Sequence, residues 1–141
     1  MIRIKAYDHI VLRVRDLERM LSFYTDVLGC EITIRRPTLG LVHLRAGHAM
    51  LDLIPFDGAL GKAGGAAPGA EGRNVDHFCF QVEPFDQAAI IAHLKAKGAT
   101  LGEIRPRYGA DGMGVSIYVH DPEGNTVELK GPGDGKLPTN L

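Results

Sequence analysis

Residues 8–29 read DHIVLRVRDLERMLSFYTDVLG, and residues 76–82, DHFCFQV, repeat the beginning of that stretch. Both copies place Asp-His before a short apolar run, which is typical of a β-strand. In the first copy, apolar residues then recur at spacings of three and four up to Leu28, and Gly29 is placed to end the helix. The sequence therefore predicts two similar modules, each beginning with a strand and a helix.

The second module continues like the first. A helix ending at Gly98 is predicted there, with an inner face formed by Phe85, Ala88, Ala89, Ala92 and Leu94. Three strand-like segments follow each helix: Glu31–Arg35, Leu41–Ala46 and Ala49–Ile54 in the first module, and Thr100–Arg105, Gly114–Val119 and Thr126–Lys130 in the second. Each half thus reads strand, helix, strand, strand, strand, which is an α+β arrangement.

The chain has 141 residues, a length that suits one domain built from these two modules. We place the first module at about residues 6–55 and the second at about 74–131. Residues 56–73, rich in Gly and Ala, are expected to form a flexible connector or a lid. Residues 132–141 are expected to be a flexible tail.

Composition excludes several classes of protein. The chain is 45% hydrophobic and 23% charged, with a formal net charge of −1, which argues against a nucleic-acid groove or an anionic membrane surface as partner. No apolar stretch approaches the roughly 20 residues that span a bilayer. The N-terminus lacks the pattern of a signal peptide, and the two cysteines, Cys30 and Cys79, suggest no disulfide framework. A cytoplasmic location is therefore expected.

Side chains alternate between the faces of a strand, which sorts the candidate site residues. His9, Asp52, His77 and Glu128 all fall on the face away from the helices, at corresponding points of the two modules. Imidazole and carboxylate ligands suit Fe(II), Mn, Ni or Zn. Two histidines and one carboxylate leave positions open for substrate or water, as a catalytic metal requires.

A structural interpretation stands beside the metal site. A single strand histidine is more often a hydrogen-bonded structural residue, a Glu in TVELK would ordinarily lie at the surface, and Asp52 would be satisfied by an arginine. Equivalent placement in two modules favours the ligand interpretation for His9, His77 and Glu128. For Asp52 both interpretations stay open.

Weaker signals concern the substrate. Arg13 shares a face with His9 and would meet an anionic group, and Tyr118 would donate to a substrate oxygen. A solvated or structural role is the alternative for both. His43 and His48 are expected at the surface. Three more residues precede a Gly-rich turn that would cover the site: Arg105, Arg107 and Tyr108.

The quoted stretches, together with DPEGNTVELK at residues 121–130, resemble the vicinal oxygen chelate superfamily over about residues 6–131. That superfamily includes glyoxalase, bleomycin-resistance and extradiol-dioxygenase proteins. The resemblance implies paired βαβββ modules that form a cupped, mostly antiparallel eight-stranded sheet with helices on the outer face. It also implies a homodimer and one divalent metal ion on His9, Asp52, His77 and Glu128. Similar lactoylglutathione lyases carry Glu where this chain has Asp52.

The activity that the resemblance implies is glyoxalase-like. The metal chelates a small oxygen-bearing substrate and stabilises an enediolate or oxyanion, with Glu128 or Asp52 as proton shuttle. The first alternative is an extradiol-type Fe(II) dioxygenase that uses three ligands. A thiol transferase conferring fosfomycin resistance and a metal-free drug-binding protein are the others.

Overall fold

The computed structural model describes residues 1–136 and divides into two compact units, Met1–Asn74 and a second that begins at Val75. Each unit holds a four-stranded sheet and repeats the predicted order strand, helix, strand, strand, strand. The elements of the first unit are β1 His9–Val14, α1 Leu17–Ser22, β2 Glu31–Arg36, β3 Leu41–Ala46 and β4 Ala49–Pro55. Those of the second are β5 Phe78–Gln81, α2 Gln87–Ala96, β6 Thr100–Gly109, β7 Gly112–His120 and β8 Thr126–Lys130.

The two sheets have the same topology. Their strand orders are β1-β4-β3-β2 and β5-β8-β7-β6, and in each the first strand pairs in parallel with the last while the other pairs are antiparallel. The repeat extends to the register, because Val11 pairs with Asp52 in the first sheet and Cys79 with Glu128 in the second. This confirms the two βαβββ modules. Their joining into one cupped, eight-stranded sheet stays a prediction.

Acidic caps start both helices. Asp16 accepts a hydrogen bond from the backbone of Arg19 at 3.1 Å, and Asp86 accepts one from Ala89 at 3.0 Å. After α1 the chain forms a π-helical stretch, Phe23–Val27, before the helix ends. Gly29 follows with φ of +75°, a conformation that favours glycine.

The inner face of α2 differs from the prediction. Ala88, Ala89 and Ala92 are exposed, whereas Leu94 is buried and Ile90 is half-buried. Branched side chains bury more apolar surface than alanine does, so the helix turns its Ile and Leu side towards the sheet. The predicted alanine face was therefore wrong.

In each sheet, the strand that comes last in the sequence is buried on both faces. In β4, Leu51 and Leu53 lie in the core, and Asp52 between them is also buried. In β8, Glu128 and Lys130 are buried although they point away from the helix side. Charged side chains at these positions need partners inside the protein, since burying an unpaired charge is costly.

The Gly/Ala-rich connector lies against β1. The Arg13 guanidinium donates to the carbonyl oxygens of Gly61, Gly64 and Gly65 at 3.1, 2.8 and 2.6 Å. A Cβ on Gly64 would lie 2.4 Å from the carbon of that guanidinium, so a side chain there would displace Arg13 from these carbonyls. The Asn74 side chain also exchanges two hydrogen bonds with the Arg13 backbone, at 3.0 and 2.9 Å. The segment is thus held by specific bonds.

The beginning of the predicted tail pairs with β7. The backbone N–H of Gly131 donates to Val115, and that of Asp134 donates to Met113, each at 2.9 Å. Residues 137–141 of the tail lie outside the described residues. Within residues 1–136, no helix is both long and apolar enough to cross a membrane.

The cap of α2 gives a test of this local structure. Replacing Asp86 by Ala removes the acceptor for the Ala89 N–H, and we expect the free energy of unfolding to fall by about 1 kcal/mol. Chemical denaturation would measure this against Gln87→Ala, which lies one residue further on and caps nothing. Equal stability of the two variants would contradict the cap.

Candidate metal centre

The first unit places His9 at the exposed beginning of β1. Its Nδ1 lies 2.6 Å from a carboxylate oxygen of Asp8, which leaves Nε2 as the nitrogen for another partner. The pKa of His9 is raised above its ordinary value, chiefly by this hydrogen bond, and the negative charge of Asp52 adds to the effect while burial opposes it. The charge of Asp52 therefore acts on His9 within this unit.

Asp52 is buried and has a partner that the sequence analysis missed. His43 lies directly opposite it in the β3–β4 pair, and Nδ1 of His43 is 2.8 Å from Oδ1 of Asp52. The guanidinium of Arg36 donates to Nε2 of the same ring at 3.3 Å, so we assign the proton to Nδ1, which donates to the carboxylate. The prediction that His43 lies at the surface was wrong, whereas His48 is exposed as expected.

The second unit joins His77 to Glu128. Nε2 of His77 lies 3.3 Å from Oε2 of Glu128, and the Ser116 hydroxyl donates to Oε1 of the same carboxylate. Ser116 and Glu128 are both almost fully buried. Asp76 contacts Nδ1 of His77 at 2.6 Å, so in both units the residue before the candidate histidine contacts the same nitrogen of its ring. Carboxylate–imidazole contacts of this kind orient histidine ligands in metal sites.

The donor atoms of the second unit fit a metal ion. Ligand atoms bound at about 2.1 Å to one cation lie about 3 Å apart, close to the separation between His77 and Glu128. Within the described residues of either unit, three or more His, Cys, Asp or Glu side chains do not gather into a metal-binding group. His9 and Asp52 belong to one unit and His77 and Glu128 to the other, so their convergence stays a prediction.

Tyr118 and Arg107 adjoin the His77–Glu128 pair. Tyr118 is directly opposite Glu128 in the β7–β8 pair, and its ring centre is 5.5 Å from that of His77. The guanidinium carbon of Arg107 lies 3.8 Å from the centre of the Tyr118 ring. The predicted role of Tyr118 as a substrate contact stays a prediction. So does that of Arg13, whose guanidinium here binds the connector.

Cys79 lies opposite Glu128 in the β5–β8 pair. Desolvation raises the pKa of its thiol to about 12, and the negative charge of Glu128 contributes to the shift. Burial alone raises the pKa of Cys30 to about 11. Both thiols are therefore protonated at neutral pH, which argues against thiolate chemistry at either position.

The thiol of Cys79 can report on the charge of Glu128. In a Cys30→Ser background, we expect alkylation by iodoacetamide to be slow at pH 8 and to accelerate up to about pH 12. Glu128→Gln removes the neighbouring charge, lowers the thiol pKa and speeds alkylation at pH 8. Glu83→Gln, which neutralises an exposed carboxylate, should leave the rate unchanged. Equal rates in all three proteins would contradict the placement of Glu128 beside the thiol.

Comparison with known proteins agrees with the two-module fold. A lactoylglutathione lyase of Arabidopsis thaliana is 29% identical over 134 residues, which cover 91% of this chain but only 45% of that protein. The mitochondrial methylmalonyl-CoA epimerase of mouse is 30% identical over 87% of this chain and 71% of its own. The structure of an integron cassette protein from V. cholerae is 27% identical, with a TM-score of 0.73 over 93% of this chain and 98% of its own.

The chain thus spans less than half the length of the plant relative and most of the mouse one. The sequence profile of the Glyoxalase/Bleomycin resistance protein/Dioxygenase superfamily matches residues 6–129, which include the four predicted ligand positions and nearly all of both modules. This chain therefore belongs to that superfamily.

Proposed function

We propose that this chain is a divalent-metal-dependent enzyme of the glyoxalase type, an isomerase or lyase acting on a small oxygen-bearing substrate. The observation that carries the proposal is the buried Glu128 carboxylate, held by Ser116 and facing Nε2 of His77 at 3.3 Å. Two acidic residues contact Nδ1 of His77 and His9 in the same way, which leaves Nε2 of both rings to bind metal.

His9, His77 and Glu128 would hold the ion, and Asp52 would either complete the set as a fourth ligand or, if it does not bind the ion, move the proton. When bound, a divalent ion there would polarise neighbouring oxygens of the substrate as a Lewis acid. Ni, Zn, Fe(II) and Mn all accept this set of donors. The names of the relatives support proton transfer beside a carbonyl, because lactoylglutathione and methylmalonyl-CoA are both thioesters that carry a hydrogen on the carbon next to the carbonyl.

Two carboxylates are suited to move the proton. Oε1 of Glu128 is occupied by the Ser116 hydroxyl, so its proton-accepting capacity is directed to Oε2. Oδ1 of Asp52 accepts from His43, which leaves Oδ2 to take a proton from a carbon next to the carbonyl. We favour Asp52 as the shuttle, because His43 engages only its Oδ1, whereas Oε2 of Glu128 faces Nε2 of His77 as a candidate metal ligand.

One observation favours the dioxygenase as a second candidate. Because His43 already engages Asp52, the ligand set can reduce to His9, His77 and Glu128. Two histidines and one carboxylate form the set typical of non-haem Fe(II) oxygenases. Oxygen consumption by anaerobically Fe(II)-loaded protein on addition of a catechol would favour this candidate. The homodimer stays a prediction, and light scattering of the purified protein would test it.

Metal affinity tests the proposed ligands. We expect purified protein to bind one divalent ion, and His77→Ala and Glu128→Gln to weaken that binding at least about 100-fold, since each removes a donor. His48→Ala is the matched control, because His48 is an exposed histidine in the β3–β4 turn. Calorimetric titration with Ni²⁺, Zn²⁺ and Mn²⁺ would measure the affinities. A chain that binds no ion would favour the metal-free drug-binding alternative.

The acidic residues before the histidines give a separate prediction. Asp8→Asn and Asp76→Asn keep the size of the side chain but lose its charge, and we expect each to weaken metal binding about 10- to 100-fold. Asp57→Asn is the control. If the metal affinities of both variants equal that of the parent protein, the two carboxylates do not position the rings.

The chemistry is tested by solvent isotope exchange. With the preferred metal bound, a hemithioacetal or related 2-oxo compound should exchange its α-hydrogen in D₂O, as proton NMR would show. Asp52→Asn should abolish the exchange while metal binding is retained if Asp52 is the shuttle. Full metal loading without exchange on any such compound would contradict the isomerase or lyase proposal.

A further inference from the structure

Arg107 is held in a fixed position on the side of the second sheet that carries Glu128. Its side chain is 12% exposed, and its guanidinium stacks on the Tyr118 ring at 3.8 Å. The other neighbour of that ring is His77, at 5.5 Å between ring centres. The guanidinium and the imidazole of the candidate metal centre therefore both adjoin the Tyr118 ring.

The counter-charge of Arg107 is weak. Its Nη2 lies 3.0 Å from Oε2 of Glu103, and Nε of Arg105 lies 3.2 Å from the same oxygen. Glu103 is 64% exposed, so water competes for its carboxylate and the ion pair contributes little. Two guanidinium groups thus share one solvated oxygen.

A third cation contacts the backbone of Arg107. Lys130 is 4% exposed, and its ammonium donates to the carbonyl oxygens of Arg107 and Gly114. In the described part of the chain it forms no ion pair with a carboxylate. The equivalent position in the first unit is Ile54, because Ile54 pairs with Arg13 as Lys130 pairs with Gln81. The positive charge is therefore specific to the second unit, and buried charge of this kind favours an anionic partner.

We propose that Arg107, with Lys130 behind it, forms a binding site for a carboxylate group of the substrate. Glu103 occupies this site in the free protein and is displaced by the substrate carboxylate. The planar guanidinium suits a carboxylate because the two can form paired hydrogen bonds, and its Nε–H has no partner among the described residues. This inference rests on the proposed function in one respect. It assumes that the molecule whose carboxylate binds Arg107 also places its chelating oxygens at His77 and Glu128. The substrate class is then small carbonyl compounds that carry a separate carboxylate.

The experiment uses metal-free protein, so that it does not depend on the proposed metal. Succinate is titrated into ¹⁵N-labelled protein and compared with succinamide, a neutral molecule of similar shape. We expect saturable shifts of the Arg107 and Gly114 amide signals with succinate alone. Equal responses to the two molecules would overturn the inference.

Three variants make the test specific. Arg107→Gln should weaken succinate binding about tenfold or more, whereas Arg105→Gln, with the same charge change on the same strand, should alter it less than about twofold. Glu103→Gln should strengthen binding, because it removes the competing carboxylate from an exposed position where folding is little affected. Equal effects of Arg107→Gln and Arg105→Gln would mean that succinate responds only to the general positive charge of the strand, and would overturn the proposal. Unchanged binding in Glu103→Gln would also overturn it.

The outcome is separable from the proposed function. If the protein binds no metal but binds succinate through Arg107, the carboxylate site stands and the metal-dependent activity fails. If metal binds at the predicted ligands while succinate does not distinguish the variants, the carboxylate site alone is rejected.

Discussion

Both sheets must satisfy a carboxylate buried in the middle of a strand. Asp52 in β4 and Glu128 in β8 lie between apolar neighbours, and both strands are covered on the two faces of their sheets. An unpaired carboxylate there would destabilise the fold by several kcal/mol. The surrounding polar residues, which are His43 and Arg36 in the first unit and Ser116 and His77 in the second, follow from this requirement.

The two units meet the same requirement differently because their acids differ by one methylene. The residue opposite the acid on the neighbouring antiparallel strand is His43 in one unit and Tyr118 in the other. Asp52 is bonded to that opposite residue. The longer Glu128 instead contacts the Ser116 hydroxyl and the His77 imidazole. Duplication has thus preserved the strand register while the polar contacts around each acid have diverged.

The sequence predicted the fold better than the contacts. The Asp-His repeat and the strand alternation are local patterns, and they located the modules and the strand faces. The His43–Asp52 pair was also within reach of sequence reasoning, because the two-residue turn Gly47-His48 fixes the β3–β4 register and places these residues opposite each other. Treating His43 as a surface residue overlooked that consequence of the turn.

Other contacts depend on geometry that the sequence does not specify. The β6–β7 pair shifts register between Leu101 and Ile104, so counting from the turn does not give the whole pairing. The contact of Arg107 with Tyr118 depends on the path of a long side chain along β6, and that of Arg13 with the connector depends on a loop closed over 48 to 52 residues. Such contacts follow from tertiary packing and not from periodicity.

The difference between the units indicates what each one would contribute to the proposed enzyme. In the first unit the residues beside the acid satisfy it internally, and the one arginine on that face of β1, Arg13, binds the connector. In the second unit an aromatic ring and a stacked guanidinium lie beside the acid, and a buried ammonium lies where the first unit has Ile54. The charge proposed to select a substrate therefore lies in the second unit. Substrate preference can then change through β6 and β8 while the duplicated ligand framework is kept.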